Sequence, residues 1–153
     1  MAFETVHTMT DWYDGPRRGV AIVNGRPHVY ESCWSDIDSD DADLFVLSPV
    51  SDELLTAALE DWEIWLRWER ACQAGLTIIE SHPALPEDRA RHTVLESILR
   101  KQLVINEQTK IAATAVFRYD ADKEPRMEAE WTIVEYVEAR DKRELFRKVS
   151  CRD

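Results

Sequence analysis

Hydrophobic and polar positions change period three times along this chain. Arg18 to Val23 and Arg26 to Cys33 are runs of β-forming residues on either side of Asn24-Gly25. Asn-Gly between such runs predicts a two-residue hairpin turn, because both turn positions need positive φ. That turn sets Val20 opposite Val29, Ala21 opposite His28 and Arg18 opposite Glu31. Upstream, Asp11-Trp12-Tyr13-Asp14-Gly15-Pro16 is dense in turn formers and feeds the first strand. Trp34 to Ala42 reads as an acidic loop, and Asp43 to Ser48, with Leu-Phe-Val-Leu at its centre, reads as a short buried strand.

The period then becomes helical. Ser51 is placed to cap a helix, with Asp52 and Glu53 at the positive end of its dipole, and the helix is expected to run to about Ala74 and stop at Gly75. After a connector holding Ser81-His82-Pro83-Ala84-Leu85-Pro86, a second helix is expected from near Glu87 to near Leu103. Val94, Leu95, Ile98, Leu99 and Leu103 share one of its faces. The two helices are read as an antiparallel pair. Period two returns in Lys110 to Tyr119, where Ile111, Ala113, Ala115 and Phe117 alternate with other residues. It continues in Met127 to Glu138, where Met127, Ala129, Trp131 and Ile133 do so, and these runs form a second hairpin. The tail from Ala139 is mostly charged. The fold expected is α+β, an antiparallel sheet of two hairpins plus a short central strand, packed against the two-helix pair in a single domain over residues 1–153.

Charge sharpens this picture. The net charge is −11, and it is unevenly placed. Between Pro27 and Leu66 there is no Lys or Arg, while eleven Asp and Glu residues fall there; elsewhere acids and bases cancel. A nucleic-acid binder needs a basic stripe, so direct binding to a phosphate backbone is not expected. A basic protein partner is compatible with such a surface. No stretch approaches the length of apolar sequence that spans a bilayer, and Met1-Ala2-Phe3-Glu4 has no basic segment followed by an apolar run. A cytoplasmic location without membrane contact is expected. Cys33, Cys72 and Cys151 are odd in number and widely spaced, which suggests neither a disulfide framework nor a zinc site, so reduced thiols are expected.

Each candidate for chemistry has a plainer reading beside it. Asp36, Asp38, Asp40, Asp41 and Asp43 invite a calcium reading, yet the EF-hand pattern fails, with Asp41 where glycine is needed and Leu47 where glutamate is needed. A solvated acidic loop that meets a partner is preferred. His82 and His92 lack metal-ligand spacing, no phosphate-binding glycine loop is present, and neither metal nor cofactor is expected. Trp62, Trp65 and Trp68 lie on the broad apolar face of the first helix and are read as core packing. Glu69 falls in the middle of that face and Arg91 in the apolar face of the second helix, so a buried Glu69–Arg91 pair between the helices is expected.

Asp11-Trp12-Tyr13-Asp14-Gly15-Pro16, Gly19-Val20-Ala21 and Asn24-Gly25-Arg26-Pro27-His28-Val29-Tyr30-Glu31 resemble the opening of a family of small uncharacterised bacterial proteins. Leu59 to Glu69 and His82-Pro83-Ala84-Leu85-Pro86 extend the resemblance over most of residues 10 to 95. It implies a bacterial origin and a free-standing domain, and it brings no activity. The leading expectation is therefore a non-enzymatic acidic binding protein, immunity-like, inhibitor-like or adaptor-like, that contacts a basic protein through Asp36, Asp38, Asp40, Asp41 and Asp43. The alternatives are a small hydrolase or metal-dependent enzyme using Asp14, His28, Glu31, His82 or His92, and a small-molecule binding domain using the Trp-rich helix.

Overall fold

The computed structural model of the protein describes residues 2–33 and 44–134. The acidic segment with Asp36, Asp38, Asp40, Asp41 and Asp43, and the tail with Cys151, lie outside the described residues. The chain forms two compact units, Met1–Val50 with Ile105–Asp153, and Ser51–Val104.

The first unit is built from seven strands: β1 (Glu4–Val6), β2 (Asp11–Trp12), β3 (Pro16–Val23), β4 (Arg26–Ser32), β5 (Leu44–Pro49), β6 (Ile111–Tyr119) and β7 (Met127–Ile133). The expected hairpins are present. Asn24 and Gly25 take φ of +52° and +78° in the β3–β4 turn, and Val20 faces Val29, Ala21 faces His28 and Arg18 faces Glu31. The Leu-Phe-Val-Leu strand β5 lies between β4 and β6 and joins the two hairpins.

The sheet does not stay open. β1 pairs with β7 through Glu4, Thr5 and Val6, and Val6 also pairs with Ala21 of β3. The order β1-β7-β6-β5-β4-β3 thereby closes on itself as a six-stranded antiparallel barrel, with β2 added along β3. This corrects the expected layered arrangement, in which one face of an open sheet is covered by helices. In a closed barrel the apolar face is the interior, and it is filled by side chains from the strands themselves. Tyr30, Phe45, Phe117 and Trp131 meet there with ring centroids 5.5 to 5.9 Å apart. Ala21, Ala113, Ala115 and Ala129 supply the small positions that make room for those rings. The Glu4 carboxylate accepts hydrogen bonds from the backbone N–H groups of Asn24 and Gly25, at 2.9 and 2.8 Å, and so fastens the closing strand to the β3–β4 turn. Cys33, buried just past β4, is disulfide-bonded, against the expectation of reduced thiols; Cys72 is the free cysteine among the described residues. Odd number and wide spacing say nothing about which sulfurs folding brings together.

The second unit holds α1 (Asp52–Gln73), two short 3₁₀ turns (Ile79–Ser81 and Pro86–Asp88) and α2 (Arg89–Gln102). Ser51 Oγ accepts from the Leu54 N–H at 3.2 Å, as its position before an acidic first turn predicts. The helix ends at Ala74, followed by Gly75 at φ +72°. Ile64, Ala84 and Leu95, with Ala57, form its core cluster. Among the described residues no helix is long and apolar enough to cross a membrane.

At Gly19 the barrel wall lies close against the segment after β1. It faces Tyr30 across the β3–β4 ladder. A Cβ at this position would collide with the Thr8 carbonyl oxygen and lie 2.7 Å from its carbon and 2.9 Å from the Tyr30 hydroxyl. That hydroxyl donates to the Thr8 carbonyl at 2.8 Å, and burial holds its pKa above the ordinary tyrosine value. Replacement Gly19→Ala is expected to cost about 2 kcal/mol by overpacking against backbone, read as a lowered denaturant midpoint. An unchanged midpoint would mean that the Thr8 segment can withdraw freely.

Candidate functional site

Polar side chains of the helical unit converge along the seam between α1 and α2. Arg67 on α1 forms a two-pronged pair with Asp88, Nε to Oδ2 at 2.9 Å and Nη2 to Oδ1 at 3.0 Å. Six to seven residues earlier on α1, Glu60 accepts from Arg91, with Nη2 to Oε1 at 2.8 Å, and Asp61 Oδ1 meets His92 Nδ1 at 2.7 Å. Moving back along α1 moves forward along α2, which is the antiparallel pairing expected from the sequence. His92 Nε2 also lies 3.2 Å from Glu96 Oε2 on its own helix. A carboxylate thus stands at each ring nitrogen of His92.

The expected Glu69–Arg91 pair does not form. Arg91 is engaged by Glu60, and Glu69 accepts from Gln73 Nε2 on an exposed stretch of its own helix. Glu60 and Glu69 are nine residues apart, roughly 13 Å along a helix. The helical wheel set Arg91 within the buried apolar face of α2, but Arg91 lies exposed beside that face and meets Glu60, because periodicity fixes neither the depth of the contact nor the turn of α1 it falls on.

Beyond α1 the chain is organised by the Ser81 hydroxyl. Ser81 Oγ donates to the Ile78 carbonyl at 2.6 Å and accepts from Trp68 Nε1 at 2.9 Å. Its 2.7 Å contact with Thr77 Oγ1 is then a bond donated by Thr77. Arg89 Nη2 donates to the carbonyls of Ser81 and Ala84 at 2.9 and 3.2 Å. Trp68, buried on α1, stands edge-on to the His82 ring with centroids 4.7 Å apart. The connector is thus tied at both ends by a buried indole and a guanidinium. Trp62 and Trp65 stack with ring centroids 4.7 Å apart and stay half-buried, while Ile64 and Trp68 are the buried large residues of this stretch.

The remaining candidate residues occupy separate places. In the barrel unit, His28 is buried, points inward from β4 and sets Nδ1 2.8 Å from the Arg26 carbonyl. Glu31, three residues on, points outward by the alternation of the strand. Asp14, at φ +52° in the β2–β3 turn, offers its carbonyl to Arg17. It sits at the Pro16 end of β3, roughly 17 Å along the ladder from Ala21, the partner of His28. In the helical unit, His82 and His92 are held by Trp68 and Asp61, which are two helical turns apart on α1. Neither unit therefore brings its candidates together into one catalytic constellation. Among the described residues no group of three His, Cys, Asp or Glu side chains is arranged to hold a metal ion. Comparison with protein-family models, with curated proteins and with solved structures finds no match to this chain.

Two outcomes follow. Trp68→Phe keeps the buried ring and removes the donor to Ser81, so it is expected to cost about 1 kcal/mol and to speed amide exchange over residues 76–82. Unaltered exchange there would show that Ser81 does not depend on the indole. The second concerns acid. Hydrogen bonds from Arg67 and Arg91 hold the Asp88 and Glu60 carboxyls below their ordinary values of 3.8 and 4.5. In the unfolded chain those groups take up protons at the ordinary values while the folded chain keeps them ionised. Their contribution to stability is thus complete above about pH 5 and is lost as pH falls through the depressed folded values. Thermal midpoints of the native chain and of the Arg67→Ala, Arg91→Ala double variant are expected to differ at neutral pH and to converge as pH falls through the depressed folded values. A difference unchanged in acid would assign the effect of the arginines to packing.

Proposed function

We propose that this protein is a non-catalytic binding protein that engages a basic protein partner. The observation that carries the reading is the charge distribution. Eleven acidic residues and no Lys or Arg fall between Pro27 and Leu66 in a chain of net charge −11. Asp52, Glu53 and Glu63 stand exposed on α1 within that stretch, and a field of one sign steers a partner of the opposite sign toward it. The separation of Asp14, His28 and Glu31 from one another, and of His82 from His92, supports binding over hydrolysis, because general acid–base chemistry needs its groups within hydrogen-bond reach of one reacting centre.

The test compares the native chain with the variant carrying Asp36, Asp38, Asp40, Asp41 and Asp43 all changed to Asn, each immobilised and exposed to lysate of the source cell. Proteins retained by the native chain are expected to be basic, to be released by raised salt, and to bind the variant roughly tenfold or more weakly once purified. Retention that ignores both salt and the five substitutions would sink the reading.

A further inference from the structure

Just past α1, three large aliphatic side chains stand in water: Leu76 is 81% exposed, Ile78 66% and Ile79 69%. Exposed apolar residues are ordinary when scattered singly. Three within four positions on one short segment are not scattered, and such a group marks an interaction surface. The segment is not loose, either. Gly75 turns it away from α1 in a left-handed conformation, and the Leu76 N–H donates back to Ala71 O at 2.8 Å. Ser81 Oγ holds the Ile78 carbonyl while taking bonds from Trp68 and Thr77. Polar bonds on the inner side of the segment thus keep the aliphatic side chains on the outer side. A chain free to rearrange would instead turn some of that surface inward.

We infer that Leu76, Ile78 and Ile79 form a pre-ordered apolar knob that docks into an apolar groove flanked by Lys or Arg on the basic partner protein proposed above. This rests on that reading and deepens it by giving the contact surface. A knob held in its bound shape loses little conformational entropy on docking. Three clustered aliphatic anchors have the character of the central residues that carry most of an interface's energy. Charge selects the occupant. Apart from Arg70 in the last turn of α1, no Lys or Arg precedes Arg89 in this stretch, whereas segments that settle on anionic membranes carry several cationic residues beside their apolar ones. The nearest arginine after the knob, Arg89, is committed to the carbonyls of Ser81 and Ala84. A second copy of the chain brings another −11 of charge, which opposes self-association. Glu80, next to Ile79, and Glu87, further along the connector, are exposed and match a basic rim.

The probe is a random peptide library displayed on phage, selected against the full immobilised chain. Enriched peptides are expected to combine large apolar residues with flanking Lys or Arg. A synthetic representative, followed by fluorescence anisotropy, should bind the Ile78→Ser, Ile79→Ser double variant roughly tenfold or more weakly than the native chain. Leu76→Ser is the second variant and should weaken binding in the same direction. The native circular dichroism of both is checked first, and retention of fold is expected because the altered side chains are exposed. Basic peptides that ignore the serine variants but are lost on changing Asp36, Asp38, Asp40, Asp41 and Asp43 to Asn would overturn the knob and leave the acidic-binding reading standing. Apolar peptides without basic residues would overturn the stated partner. So would sedimentation with phosphatidylglycerol vesicles, or concentration-dependent dimerisation, if either is abolished by the serine changes. Failure to enrich any peptide that distinguishes native chain from serine variant would also overturn the inference.

Discussion

The barrel depends on a three-residue strand that must satisfy two neighbours at once. Val6 pairs with Met127 on one side and Ala21 on the other, and without β1 the edge of β7 and the part of β3 beyond its pairing with β2 would expose unpaired backbone groups. Closure converts two edges into ladders and turns the apolar face of both hairpins into an interior. The ring cluster of Tyr30, Phe45, Phe117 and Trp131 then has a place to pack. The Glu4 carboxylate on the Asn24-Gly25 turn and the Tyr30 hydroxyl on Thr8 hold the closing segment at two points. The bare Gly19 backbone between Thr8 and Tyr30 is the steric condition for the second of these. A short strand with little apolar surface of its own is thus held by specific polar contacts.

The helical unit uses polar groups differently. Its apolar cluster of Ile64, Ala84 and Leu95 is small, and the partners across the seam are Glu60 with Arg91, Asp61 with His92 and Arg67 with Asp88. Apolar contacts tolerate sliding, whereas two opposite-charge matches and the Asp61–His92 contact are met together in one alignment of the helices. Exposed ion pairs contribute little stability individually; their effect here is register. The Ser81 hydroxyl acts by the same logic on a shorter scale. It uses its one proton and both lone pairs, and so fixes the segment that carries Leu76, Ile78 and Ile79.

The proposed reading assigns this surface to recognition. Two of the histidines are tied to structural partners, His92 to Asp61 and His28 to the Arg26 carbonyl. Catalysis requires such groups to converge where a substrate can sit. Recognition asks instead for a field that attracts and a shaped contact that discriminates, and in the proposed reading the acidic residues supply the first and the aliphatic knob the second.

Local features of the sequence were legible because their physical causes are local. Asn24-Gly25 demanded a positive-φ turn, and the register of β3 on β4 followed; Ser51 and Gly75 bounded α1; alternation in 111–117 and 127–133 named the inward residues of the second hairpin. Features that depend on distant parts of the chain were not. Glu4-Thr5-Val6 holds a single strongly apolar residue and carries no periodicity, so neither the closing strand nor the barrel could be read from it. The wheel buried Arg91 against Glu69, but Arg91 is exposed and pairs with Glu60, because amphipathic periodicity says nothing about the axial position of a neighbouring helix or the depth of the contact. Leu76, Ile78 and Ile79 drew no attention in a sequence where apolar residues are expected to be buried; only the tertiary structure showed them outside. The sequence by itself determined the turns, caps, element types and the inward faces of the strands, since each is decided within a few residues by backbone sterics and hydrophobic period. Closure, axial register and the exposure of the knob were decided only in three dimensions, where groups far apart in the chain compete for the same partners.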